Sequence, residues 1–133
     1  MKVDGQCHCG KIVYEAEVDP ASSVICNCTA CQELSGAPFR ASVAAKAEDF
    51  RITRGTPKEY VKTADSGNKR AQGFCGDCGS PIYATSAENR TKYNLRLGAV
   101  RQRKDLPPQR QIWCQSSIAW GQNVSDVPGV PRD

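Results

Sequence analysis

Residues 75–79 read CGDCG. Two cysteines separated by two residues can place two thiolates on one ion, and the glycine after them permits the tight turn in which backbone N–H groups face the sulfurs. Such a knuckle is only half a metal site, so its partners decide which distant segments must fold together. Residues 7–10, CHCG, supply two more cysteines. Cys7, Cys9, Cys75 and Cys78 would together form a closed, tetrahedral four-cysteine centre, the arrangement of structural zinc. On the plainer alternative, Cys7 and Cys9 are ordinary buried small residues.

A third cluster lies in residues 26–32, CNCTACQ, where Cys26, Cys28 and Cys31 have no nearby histidine or further cysteine to complete a fourth position. Three thiolates and one open position distinguish catalytic zinc from structural zinc. The alternative is a different four-thiolate grouping, in which this cluster donates ligands to the other pairs and only one ion is bound. Residues 29–36, TACQELSG, predict the one short helix: Thr29 and Gln32 fit a capping box, and Gly36 and Pro38 stop it. Cys28 then precedes the cap and Cys31 falls in the first turn, where the helix dipole favours thiolate. His8, the single histidine, sits between two ligands and is expected to face solvent. The cofactor expectation is two Zn²⁺ per chain, the second labile because one of its ligands is exchangeable.

Eight cysteines in 133 residues could instead signal disulfides. The first ten residues, MKVDGQCHCG, contain no apolar signal-peptide core, and no apolar run approaches the ~20 residues that span a bilayer. The expectation is therefore a cytoplasmic chain with no membrane partner, in which clustered cysteines bind metal or do chemistry. With 39% hydrophobic residues and a mean hydropathy of −0.53, the core is modest, and metal would add usefully to folding free energy. The formal charge is +4, but seven zinc-bound thiolates and two divalent ions would lower it by three, leaving little field to steer an anionic partner.

Short alternating or β-branched runs recur between turn signals: Lys11 to Val18, Phe39 to Ala44, Phe50 to Thr53, Glu59 to Thr63, Ala71 to Phe74, Pro81 to Ala84, Tyr93 to Leu97 and Gln109 to Cys114. They predict a mainly β fold of short antiparallel strands over residues 1–120. Residues 121–133, GQNVSDVPGVPRD, predict an irregular tail. Residues 90–104 hold six basic side chains, but no stacking motif for bases accompanies them; a solvated face is expected rather than a nucleic-acid site. Trp113 and Trp120 are expected to pack in the core or at its rim.

The order CHCG, CNCTACQELSGAPF, Phe50 to Gly55 (FRITRG), Tyr60, Arg70 to Tyr83 (RAQGFCGDCGSPIY), Leu97-Gly98-Ala99, Leu106-Pro107, Gln111-Ile112 and Trp120 resembles the glutathione-dependent formaldehyde-activating enzyme (GFA) family. The resemblance implies a zinc-centred β-tent, a structural zinc on Cys7, Cys9, Cys75 and Cys78, and a catalytic zinc on Cys26, Cys28 and Cys31. It implies a carbon-sulfur lyase-class enzyme related to S-(hydroxymethyl)glutathione synthase, joining glutathione or a similar thiol to formaldehyde or a related small aldehyde. Arg40, Arg70 and Arg96 are candidates to anchor carboxylates of such a ligand. Gln111 stands where many members of the family have a histidine, and Gln115 where aspartate is common, so the true substrate stays open; the oligomeric state is not set by the sequence. Two other classes compete. Cys114, on a predicted strand, would be the nucleophile of an enzyme resembling methionine-R-sulfoxide reductases, although a buried, inert thiol is the simpler reading. A non-catalytic zinc-binding interaction module is the third.

Overall fold

Gly5 explains how the first hairpin closes onto the rest of the chain. It lies in strand β1 (Lys2–Gln6), and a Cβ there would fall 2.2 Å from the Ala99 carbonyl oxygen, so only glycine allows the bridge between Gly5 and Val100. The computed structural model describes residues 1–133. Strand β1 pairs antiparallel with β2 (Val13–Glu17), and β2 with β5 (Phe50–Arg54), giving a three-stranded sheet.

A second, seven-stranded sheet contains β3 (Val24–Cys26), β4 (Arg40–Lys46), β6 (Lys58–Thr63), β7 (Lys69–Phe74), β8 (Pro81–Ser86), β9 (Lys92–Arg96) and β10 (Arg110–Ile112). Its order is β10-β3-β4-β9-β8-β7-β6, antiparallel except where β10 runs parallel to β3. The fold is thus mainly β, with one helix, α1 (Thr29–Ser35).

Period-2 alternation divides each strand between two faces. Val3, Tyr14 and Ala16 from the small sheet join Val43, Ala45, Tyr83 and Leu95 from the large one in a single buried cluster, closed by Leu97, Val100 and Leu106. Phe50, Tyr83 and Tyr93 stack within it, at centroid distances of 4.6 to 5.6 Å, inside the favourable range for aromatic pairs. The other face of the large sheet is polar. Cys26 lies opposite Arg40, and Ser42 opposite Arg96, so these four side chains share that face.

Eight expected strands correspond to observed ones, with shifted ends. Two went unpredicted: β1, whose KVDGQ sequence carries one apolar side chain, and β3, only three residues long. The late strand is shorter than expected, ending at Ile112 and leaving Cys114 in an exposed 3-10 turn, so the simpler reading of a buried thiol is corrected. Trp113 adopts a left-handed φ of 57° as the chain leaves the sheet, and Trp113 and Trp120 are 55% and 67% exposed; neither packs in the core as expected. A last 3-10 turn, Ala119–Gln122, seats Gly121 against Pro38, and the residues after it form no strand or helix. No helix is long and apolar enough to cross a membrane.

Candidate metal centres

The two cysteine groupings expected from spacing are both assembled. Cys7, Cys9, Cys75 and Cys78 converge, their sulfurs all within 4.8 Å of one another, and Cys26, Cys28 and Cys31 do the same elsewhere. An ion held tetrahedrally at about 2.3 Å from each sulfur requires sulfur–sulfur distances of roughly 3.8 Å. The sulfurs of Cys7 and Cys9 stand 3.6 Å apart, and those of Cys9 and Cys75 3.7 Å, distances compatible with zinc.

Turn geometry builds that cage. Gly10 and Gly79, each following a cysteine, have φ of 78° and 79°, the left-handed conformation that a glycine adopts without strain. The turns bring N–H groups to sulfur: Ile12 N–H donates to Cys7 Sγ at 3.2 Å, and Ser80 and Cys9 N–H groups face Cys78. The Ser80 hydroxyl, 3.2 Å from Cys78 Sγ, leads these donors in holding the Cys78 thiol down to about 5. His8 is exposed, as expected, and its N–H donates to Ser80 Oγ at 2.9 Å.

The three-cysteine centre lies where β3 passes into α1. The expected capping box is not formed. Cys28, not Thr29, is the N-cap, its sulfur accepting the Cys31 N–H at 3.3 Å. Gln32 instead donates to the carbonyls of Asn27 and Ser116, at 2.9 and 3.0 Å. A cysteine that caps the helix in this way has its sulfur position fixed by the backbone. At the other end Gly36 takes φ of 66° as the C-cap, as the sequence predicts.

Charge is distributed unevenly here. The Cys31 thiol is lowered to about 5, first by a hydrogen bond from Cys26 and then by Arg40, whose Nη2 lies 3.8 Å from Cys31 Sγ; burial opposes both. Cys26 is correspondingly raised, by the same bond to Cys31 and by burial. A thiol–thiolate hydrogen bond and the guanidinium thus favour ionised sulfur at Cys31, in the first turn of α1. A cluster of three clustered thiols with a ready thiolate suits a thiophilic ion and is compatible with zinc.

One site residue was missed. Asn27, between two ligands, is fully buried; its Nδ2 donates to Gln111 Oε1 and Ile112 O at 3.2 and 3.1 Å, and its Oδ1 accepts from Gln122 at 3.3 Å. The signal was a polar residue flanked by ligands, which spacing alone left as filler. Gln111 and Gln115 are both exposed, but only Gln111 reaches the cysteine loop, through Asn27. Arg40 and Arg96 are buried at 7% and 9% exposure, and Arg70 is half-buried. The other basic residues of 90–104 divide: Arg90 pairs with Glu59 and Arg101 with Asp4.

A family model described as "Glutathione-dependent formaldehyde-activating enzyme" matches residues 2–116. Among solved structures, the chain is similar to a crystal structure of a Rhodobacter sphaeroides protein, with a TM-score of 0.62 at 23% identity, covering 81% of this chain and 98% of that one. That likeness shows the fold. A search of curated proteins returned no match.

Proposed function

From the premise that this chain belongs to the glutathione-dependent formaldehyde-activating enzyme family, we propose that it is a zinc-dependent, carbon-sulfur lyase-type enzyme that adds a thiol such as glutathione to formaldehyde or a related small aldehyde. The observation that carries this reading is the convergence of Cys26, Cys28 and Cys31 within 4.8 Å, one ligand short of a tetrahedron, beside a buried guanidinium. Cys7, Cys9, Cys75 and Cys78 would hold the structural zinc, and the three-cysteine set the catalytic one. Bound there, zinc supplies Lewis acidity toward an aldehyde oxygen and stabilises an incoming sulfur as thiolate.

The chain's own residues prepare that position. Cys28 is anchored by the Cys31 N–H, and Asn27 locks the loop to β10, so the sulfurs need little reorganisation when reactants arrive. Arg40 places a positive charge against Cys31, favouring ionised sulfur. In the reaction the thiol sulfur forms a bond to the carbonyl carbon, the C=O π bond opens, and the thiol proton ends on oxygen. No oxidant or reductant is consumed, which suits zinc, an ion without redox chemistry of its own.

The test is two-dimensional exchange NMR of formaldehyde with glutathione, using zinc-loaded protein. Exchange between free and S-hydroxymethyl glutathione should accelerate, and Cys31→Ser, with its fold intact by circular dichroism, should lose at least ~100-fold of that acceleration. A zinc-loaded wild type that leaves the rate at the protein-free value with glutathione and with other thiols would overturn the reading.

A further inference from the structure

The register of the large sheet gathers cations that the sequence keeps apart. Lys46 on β4 stands opposite Lys92 on β9, Lys62 on β6 stands opposite Arg70 on β7, and Ser86 of β8 faces Arg70 from the other side. Thr85 pairs with Tyr93, which brings Ser86 level with Lys92. Opposite residues share a face and strands lie about 4.8 Å apart, so Lys46, Lys92, Ser86, Arg70 and Lys62 form one row of roughly 19 Å across five adjacent strands. The next row on that face is Ala44, Asn94, Ala84, Gln72 and Tyr60, which is neutral throughout. Its side chains are short as far as Gln72, which accepts from Arg96, and it ends in Tyr60, 54% exposed on the edge strand.

No strand places an acid on this face. Glu59 is the one acidic residue in the seven strands, and it lies on the opposite face with Tyr83 and Arg90. Glu48, Asp65 and Glu88 lie past the strand ends, and none of them pairs with Lys46, Lys62, Arg70 or Lys92. Like charges directly opposite each other destabilise a sheet, and here two such pairs stand in one line. Burial pulls half-buried Arg70 below its ordinary pKa, and no carboxylate offsets it. Lysine on an edge strand guards against edge-to-edge pairing, which accounts for Lys62. Strands β4, β9 and β7 are interior, so their cations have no such role.

A line of unpaired cations complements a partner with repeated negative charge. Tyr60, one row away on the same face, adds a surface on which a base can stack beside a phosphate track. A duplex would hold its bases away from Tyr60, and an acidic polypeptide has none to stack. We propose that this face of the large sheet binds a single-stranded nucleic acid, with its phosphates along the row from Lys46 to Lys62 and a base on Tyr60. The surface does not depend on the chemistry of the cysteine clusters. The basic stretch 90–104 supplies only Lys92 to the row, so the site is assembled by register and not by a run of charge.

The experiment titrates zinc-loaded protein into a fluorescein-labelled oligothymidylate of about twelve nucleotides and follows anisotropy from about 20 to 200 mM salt. Binding should saturate, and the logarithm of affinity should fall with the logarithm of salt at a slope of about −3, the value for four phosphate contacts on a single strand. Lys46→Gln combined with Lys92→Gln should flatten that slope by about 1.4. Tyr60→Ala should weaken binding at least roughly 5-fold and leave the slope unchanged. Lys104→Gln, a charge change outside the sheet, should alter neither, and circular dichroism checks that each variant keeps its fold. An absence of saturable binding at about 20 mM salt overturns the proposal. So does a loss from Lys104→Gln as large as that from the row variant, which would mean undirected charge. Duplex DNA, inorganic polyphosphate or polyglutamate bound as tightly as the single strand, with Tyr60→Ala without effect, would overturn the nucleic-acid assignment and leave a general polyanion surface.

Discussion

Asn27 holds the segment between two of the three clustered cysteines in place without itself belonging to the cluster. Its amide and backbone are tied to Gln111, Ile112, Gln122 and Gln32, so the segment between Cys26 and Cys28 has one conformation. Groups that orient metal ligands typically contribute about 10- to 100-fold to affinity. Asn27→Ala should therefore weaken zinc binding at the three-cysteine centre by roughly 10-fold or more while leaving the four-cysteine ion in place, as read by competition with a chromophoric chelator. Equal affinity in variant and wild type would show that the three sulfurs are positioned without it. The three-cysteine grouping was legible in the sequence because its spacing is a local property. Asn27 was not, because its role comes from β10 lying parallel to β3, a contact over more than 80 residues of chain. The same limit applies to Arg40 and Arg96: both were candidates by charge, but only the sheet register shows that they share a face with Cys26.

At the scale of elements, β6 closes one edge of the large sheet. It is an edge strand whose residues are almost all exposed, paired only with β7. Glu59 fastens it through Arg90, with both guanidinium contacts at 2.7 Å, and accepts the Tyr83 hydroxyl, also at 2.7 Å. Arg90 and then Tyr83 hold the Glu59 carboxyl below the usual carboxylate range, against opposition from burial. A depressed folded-state pKa gives stability that is complete above the unfolded value, near 4.3, and is lost as pH falls through the folded value. Wild type should thus exceed Glu59→Gln by about 1 kcal/mol near neutrality, with the gap closing below about pH 4. Urea denaturation of both proteins at several pH values gives the difference, in which acid loss of metal common to both cancels. A gap that stays constant from about pH 6 to 3 would remove Glu59 ionisation from the account. Strand β6 itself was readable from its β-branched and aromatic content. Its anchor was not, since Arg90 was grouped with a basic stretch that the fold distributes among separate partners.

Over the whole molecule, the four-cysteine cage joins the turn of the first hairpin to the turn between β7 and β8, beside a His8–Ser80 hydrogen bond and a Lys11–Asp77 ion pair, and Cys9 and Cys75 are 66 residues apart. With its modest core, the chain would rely on that cage for part of its folding free energy, because an ion that binds only the folded arrangement stabilises it by its full binding energy. The three-cysteine centre instead lies within one β-strand and the helix that follows it, so losing its ion need not separate the sheets. Chelation should proceed in two stages. The first zinc should leave with the far-ultraviolet circular dichroism unchanged, and the second should leave only with cooperative unfolding, lowering the thermal midpoint by at least roughly 10 °C. Cys28→Ser should abolish the first stage and keep the second, whereas Cys75→Ser should give a protein that is poorly folded at any zinc concentration. Elemental analysis beside circular dichroism along the chelator titration reads both stages. Removal of both ions without a change in the thermal midpoint would mean that the hydrophobic cluster shared by the two sheets holds the fold unaided, and that the knuckle at residues 75–79 follows the fold instead of directing it.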